Sequence, residues 1–275
     1  EDNEAWLKRY LVLEHGTPSH DTFGRVFRLL DAKVFEACFR EWIRGLVGIV
    51  AGVVAIDGKT ACGSRDGHNT ALHTISAYAT ASGLCLGQEH TRGKGNEIPA
   101  IKALLDTLAL KGCIVTIDAI GCQTEIAQKI LDRGGDYLLA VKDNQKDLAD
   151  ALREFFADGE TWGFGSLPVS HYQSLEKDHG RSETRQATWV SDLSWLDKKL
   201  REHWPKLAGI GMIERQREIN GTVSNERAYY IGSQGITSAE SFAKTARDHW
   251  GIENSLHWVL DITFREDDCR VRKDH

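Results

Sequence analysis

The stretch Val53-Val54-Ala55-Ile56-Asp57-Gly58-Lys59 sets four apolar residues directly before an acid and a glycine. Ile114-Val115-Thr116-Ile117-Asp118-Ala119-Ile120-Gly121-Cys122-Gln123 repeats the arrangement further on. Short runs rich in Val and Ile, broken by Gly, predict buried strands of a central sheet, and ligands of such sheets gather at strand ends. Each aspartate is therefore expected just past a strand, on a rigid support. An Asp in that place is also a common turn-former that hydrogen-bonds its own backbone. Two of them in one sheet, each with a Gly just downstream, shift the reading toward a pair of hard oxygen ligands able to hold Mg²⁺.

Outward from these two stretches, the pattern predicts strands near 53–56, 72–79, 84–90, 113–117 and 137–141. Helices are predicted around 98–110, with Ile101, Leu104 and Leu105 inward, and from Thr124 to Arg133. Three strands followed by alternating helix and strand make a mixed α/β sheet with helices on its faces. Residues 1–48 read as a small helical lead-in, with Trp6, Leu7, Tyr10 and Leu11 on one face and Val34, Phe35, Phe39, Trp42 and Ile43 on another. His20 and Asp21 read there as helix caps. From about 145 to 235, Trp162, His171-Tyr172, Thr188-Trp189-Val190 and Tyr229-Tyr230-Ile231 suggest short strands among polar turns.

A third acid lies in the helix predicted from Ser238, a plausible cap. His249, Glu253, His257 and Asp261 recur every four residues and form one stripe that drifts slowly round the helix. A solvated face is the plain reading of such a stripe. Large apolar neighbours, Trp250, Ile252 and Leu256, instead favour a packed helix around Glu253.

The strings AIDGK (55–59), TIDAIGCQ (116–123), LLAVKDNQ (138–145), HWGIEN (249–254) and LHWVLDITFREDD (256–268) resemble the DDE transposases of bacterial insertion sequences. They are most similar to the H-repeat-associated group found with Rhs elements. The likeness runs along nearly the whole chain and includes GTPSHDTFGRVF (16–27), which resembles the segment preceding the catalytic domain in that group. The resemblance implies an RNase H-like fold over 49–275, with Asp57, Asp118 and Glu253 as catalytic acids and metal ligands. The long gap between Asp118 and Glu253 implies a β-rich insertion at about 145–235. Wider relatives carry a Tyr, an Arg and a Lys at the positions held here by Ala246, His249 and Leu260; the H-repeat-associated group shares this departure.

The implied activity is metal-dependent cleavage of DNA at insertion-sequence ends and strand transfer into target DNA. The implied cofactor is Mg²⁺, with Mn²⁺ as a substitute, and the implied assembly is a homodimer on DNA. Elementary chemistry agrees with that assignment. In-line attack on a phosphodiester is served by two Mg²⁺ roughly 4 Å apart, one activating the nucleophile and one stabilising the leaving oxygen. Three carboxylates suffice to hold them, and without metal they would repel one another and resist full ionisation. A catalytically inactive remnant that only binds DNA or a partner is the alternative. It is favoured by a chain whose sole Met is Met212 and which ends at His275, soon after Glu253.

The 275 residues are 41% hydrophobic, enough for one substantial core and a smaller subdomain. No apolar run approaches the ~20 residues of a membrane span, and the acidic start Glu1-Asp2-Asn3-Glu4 is unlike a signal peptide, so a cytoplasmic protein is expected. The six cysteines form no C-x-x-C pair and read mostly as small core residues of a reducing compartment.

Net charge argues against a uniformly basic DNA face, since 40 acids oppose 34 bases for a balance of −6. Basic residues do concentrate at 181–185, 215–217 and 265–273. Arg181 and Arg185, in the insertion, are candidate contacts to transposon-end phosphates. Lys59, Lys142, Asn144 and Gln145 follow strands on the edge that carries Asp57 and Asp118, where they can hold phosphates or orient ligands. Loop solvation is the competing reading for these four. Lys94-Gly95-Asn96-Glu97 precedes a helix start, which suits either an anion or ordinary capping.

Overall fold

A computed structural model describes residues 3–47, 51–65, 70–92, 94–178, 181–219 and 221–270. The chain falls into two compact units, over Glu1–Leu46 and over Val47–Arg272.

The first unit holds α1 (Glu4–Leu7), α2 (His20–Leu29) and α3, which runs over Ala32–Val47. Ser19, not His20 or Asp21, caps α2: its hydroxyl accepts the Thr22 N–H at 3.3 Å. His20 and Asp21 occupy the first turn and pair with each other at 3.1 Å. Asp31 starts the next helix by accepting the Lys33 and Val34 N–H groups. Phe27 and Phe35 meet edge to face, with centroids 6.5 Å apart.

The second unit is built on one nine-stranded mixed sheet. Its strands are β1 (Gly52–Thr60), β2 (Leu72–Ala79), β3 (Leu84–Arg92), β4 (Cys113–Ile117), β5 (Asp136–Val141), β6 (Val169–Asp178), β7 (Arg181–Val190), β8 (Gly209–Ile219) and β9 (Thr222–Gly232). They lie in the order β3-β2-β1-β4-β5-β9-β8-β7-β6. β1, β2 and β3 are antiparallel neighbours, whereas β4 runs parallel to both β1 and β5. Helices α4 (Glu97–Thr107) and α5 (Thr124–Asp132) make the crossovers that parallel pairing requires.

The strand apolar runs are buried as their composition demands: Val53 through Ile56, Val115, Ile117, Leu138, Leu139 and Val141 are all nearly inaccessible. One boundary differs from the sequence reading. β1 does not stop before Asp57; Gly58, Lys59 and Thr60 continue the ladder opposite Ile75, Thr74 and His73. Gly58 is there for room, not for a turn, because a Cβ would lie 2.4 Å from His73 Nε2.

The segment from 145 to 235 also differs. It contains α6 (Lys146–Trp162) and α7 (Lys198–His203) as well as four strands of 10 or 11 residues, longer than the short strands expected. Trp162 ends α6 and is exposed. These strands form no separate sheet: β9 pairs directly with β5, from Leu138↔Gly232 to Val141↔Tyr229.

Helix α8 (Ala239–His249) packs against β1, β4, β6, β7 and β8, and so bridges both halves of the sheet. Ser238 caps it through a reciprocal pair of bonds with Ser241. Phe242, fully buried, sits with Leu138, Ala187, Trp189 and Ala246. Gly211 makes the seat possible, since a Cβ there would come within 2.5 Å of the Phe242 ring.

Of the six cysteines, only Cys113 and Cys122 are buried; Cys38 and Cys62 are exposed, so the expected core role fits two of them fully. No described helix is long and apolar enough to cross a membrane.

Candidate functional site

The last parallel pair of β1 and β4 is Ile56↔Ile117. One step further along both strands stand Asp57 and Asp118, so parallel register alone brings the two acids side by side. Strand alternation then assigns faces. Val54, Ile56, Gly58 and Thr60 share one face with His73, whose Nδ1 lies 2.8 Å from Thr60 Oγ1 and whose Nε2 lies 2.9 Å from a Glu97 carboxylate oxygen at the start of α4. Ala55, Asp57 and Lys59 point to the other face, where Ala55 packs on Ile252.

That second face receives the polar stripe. The helix expected to run unbroken from Ser238 through Asp261 is interrupted: α8 ends at His249, a π-helical turn spans Glu253–His257, and α9 follows over Trp258–Ile262. The i→i+5 turn is wider than an α-turn and counteracts the drift of residues spaced by four. His249, His257 and Asp261 therefore keep facing the sheet. His249 Nδ1 lies 2.9 Å from Thr116 Oγ1, two residues before Asp118. His257 Nδ1 lies 3.6 Å from Asp57 Oδ2. The Asp261 carboxylate lies 2.6 Å from Lys59 Nζ. Glu253, at the first position of the π-turn, is exposed, while its neighbour Ile252 is fully buried.

The electrostatics mark one acidic locus. Burial pushes the Asp57 carboxyl up to about 7; the Gly58 N–H, donating to Asp57 Oδ1 at 2.8 Å, works against this, and Asp118, Glu253 and Glu97 add to it by repulsion. Burial also raises Glu253. Burial and the nearby Lys59 charge push His257 down to about 4, and burial lowers His249 although Asp118 opposes the shift, so both imidazoles are neutral near pH 7. The donor set of Asp57, Asp118 and Glu253 is all oxygen, which suits a hard divalent cation, and a cation would relieve the repulsion that adds to the effect of burial on Asp57. Among the described residues, no three His, Cys, Asp or Glu side chains converge closely enough to hold one ion.

The other residues singled out in the sequence have distinct surroundings. Lys59 is 9% exposed, within 2.6 to 3.4 Å of Asp261, Glu266 and Asp267. Burial works against its charge, but bonds to Asp261 and Glu266 more than offset that and hold its pKa high. Its ammonium is thus committed to the chain segment that follows the π-turn. Asp267 also accepts the Cys62 N–H, which closes the same clasp. Asn144 donates to Ala119 O at 2.6 Å and Gln145 to Cys122 O at 2.9 Å, so this pair braces the loop after Asp118. Lys142 is exposed. Arg185 pairs with Glu176 at 2.8 Å and with buried Glu183. The Arg181 side chain lies outside the described features, as do residues 271–273 of the last basic cluster. Asn96 precedes α4 without a side-chain cap, and Glu97 turns inward to His73.

The inward pairings of Thr116 with His249 and of Glu97 with His73 escaped the sequence reading. A Thr inside an apolar strand and a Glu at a helix start carry no pattern that announces a buried partner. His249 and His257 were legible through their spacing.

A family model described as "Transposase DDE domain" matches residues 22–275. A protein of Xanthobacter autotrophicus, named for its place in the dhlA 3′ region, is 44% identical over 84% of this chain and 77% of its own length. The "H repeat-associated putative transposase YhhI" of Escherichia coli (strain K12) is 40% identical over 98% of this chain and 71% of its own. The "Putative transposase YncI" of Escherichia coli O157:H7 is also 40% identical, over 98% and 69%. These matches lead to one placement: the chain belongs to the transposase DDE domain family.

Proposed function

We propose that the unit over Val47–Arg272 is an RNase H-like catalytic domain that cleaves DNA at insertion-sequence ends and joins the freed strand to target DNA. Asp57, Asp118 and Glu253 are its catalytic acids. The observation that carries the reading is the β1/β4 register, which sets Asp57 beside Asp118, with Ile252, the neighbour of Glu253, packed on Ala55 of β1. The strand order 3-2-1-4-5, with β2 antiparallel to the other four, supports the fold assignment.

The three acids would hold Mg²⁺, or Mn²⁺ in its place. Bound there, such ions supply Lewis-acid activation of the attacking oxygen and charge stabilisation at the leaving one. The protein's own part is placement. β1 and β4 fix two carboxylates on a rigid sheet, Asn144 and Gln145 hold the Asp118 loop, and neutral His249 and His257 lie against the acid-bearing strands without adding competing positive charge. Lys142 is the exposed cation suited to a DNA phosphate beside that loop; Lys59, Asn144 and Arg185 already have protein partners. Coordinated cutting of two ends calls for two copies, so a homodimer on DNA belongs to the reading.

A gel assay for cutting and joining of a transposon-end duplex, run with the intact chain and with Asp118→Ala, tests it. Cutting and joining that vanish together in the variant are expected. Equal cutting by both proteins would refute the assignment, and DNA binding with no cutting by either would favour the inactive remnant.

A further inference from the structure

We infer that the groove between the start of α6 and α7 seats the sugar–phosphate backbone of DNA beside the acid site. This rests on the reading of the chain as a DNA-cutting enzyme. The groove encloses about 380 Å³ and is lined by Asn144, Lys146, Asp147, Lys199 and His203 over a floor formed by buried Trp204.

Three observations assign it to a polyanion. First, Lys146 and Lys199 are exposed and have no ion-pair partner among the described residues, and exposed His203 meets the Trp204 ring edge to face, with centroids 6.0 Å apart. Against these cations stands one acid, Asp147. Second, α6 is a 17-residue helix with no side-chain cap. Its first turn, Lys146 to Leu148, lines the groove, so the positive end of the helix dipole lies at the rim, with Asp147 as the acid of that turn. Third, Asn144 and Gln145 fasten this rim to the loop after Asp118, which fixes the distance from the groove to the proposed catalytic acid.

A neighbouring depression of about 570 Å³ between α5 and α7 provides the contrast. Its lysines are already neutralised, Lys102 by Glu125 at 2.5 Å and Lys129 by Asp106 at 2.6 Å. Size does not select between the two; free charge does. The amides that line the smaller groove, Asn144 and Gln145, donate to the backbone of the loop after Asp118, so the contact is assigned to phosphates and is independent of sequence.

The test is fluorescence anisotropy of a labelled mixed-sequence DNA duplex titrated with the full chain across a range of salt concentrations. Removing two phosphate contacts in Lys146→Ala/Lys199→Ala should flatten the slope of log affinity against log salt by about 2. Lys102→Ala/Lys129→Ala removes the same formal charge from the neutralised depression and should leave the slope near that of the intact chain. Circular dichroism of both variants checks folding. An unchanged slope in the first variant, or equal flattening in both, overturns the groove assignment while leaving the catalytic reading standing. Absence of salt-dependent DNA binding by the intact chain would instead overturn the reading on which the inference rests.

Discussion

The two halves of the nine-stranded sheet are held by different forces. In the half formed by β1, β4 and β5, consecutive apolar residues such as Val53 to Ile56 are buried on both faces. In the half formed by β6 to β9, long stretches are polar and half-exposed, and β9 is exposed over its first six residues. Cross-strand charges organise that region. Glu183, 1% exposed, accepts from Arg217 at 3.0 Å and pairs with Arg185; Arg227 reaches Glu214 and Glu160 at 3.0 Å each. Arg247 of α8 adds a bond to Glu176 of β6 at 2.9 Å. Burial builds the half that carries the acids, and charge pairing organises the half formed by β6 to β9.

The comparison is broken most severely at its functional end. Asp57→Ala or Asp118→Ala should lower cutting on the order of 10³-fold or more, the scale of losing a group that stabilises the transition state, while thermal melting stays close to that of the unaltered chain. Melting collapse in parallel with activity would make these acids structural. At the seam between the halves, Phe242→Ala should destabilise by about 3–5 kcal/mol in denaturant titration, since it empties a fully buried site shared by Trp189 and Tyr230. A loss below about 1 kcal/mol would mean that α8 does not bind the halves together.

Within the charged half, Glu183→Gln removes a buried carboxylate from two arginines and should cost about 3 kcal/mol by the same titration. The more exposed Arg227 is a sharper gauge, because Arg227→Ala should cost less than about 1 kcal/mol. Equal losses at the two positions would show that burial does not grade these pairs.

The acid site adds a pH dependence with a definite sign. Asp57 titrates near 7 in the folded protein against an ordinary value of 3.8, so the folded state holds a proton that the unfolded chain has lost. That contribution is favourable below about pH 7 and fades as pH rises through the window from about 4 to about 7. A divalent cation competes with the proton for the same carboxylate. The rise in melting temperature on adding Mg²⁺ should therefore be larger at about pH 8 than at about pH 5.5, and smallest in Asp57→Asn. An identical rise at both pH values would place the ion elsewhere.

The same division explains what could be read from sequence. Val53–Ile56, Ile114–Ile117 and the Ser238 cap announced themselves because burial and capping leave compositional marks. The pairing of Asp57 with Asp118 was inferable once both strands were recognised. Gly58 misled, since a glycine demanded by His73 across the sheet looks identical to one that ends a strand. The long polar strands were legible only as fragments: residues such as Arg185 and Arg217 acquire meaning from partners on neighbouring strands, which no local window contains. The π-turn at Glu253 likewise left no trace beyond the spacing of the stripe it keeps in line.

The hydrogen bonds between β5 and β9 have a further consequence for engineering. A segment attached by two flexible links can be cut out of a protein, but the one that ends in β9 covers the flank of β5. Excision between Lys142 and Ser233 would bare the backbone of Leu138, Leu139 and Val141 as an apolar edge, a template for pairing with other chains. A minimal version of the domain would then fail by aggregation before its chemistry could be measured, unless a charged or proline-bearing strand took the place of β9.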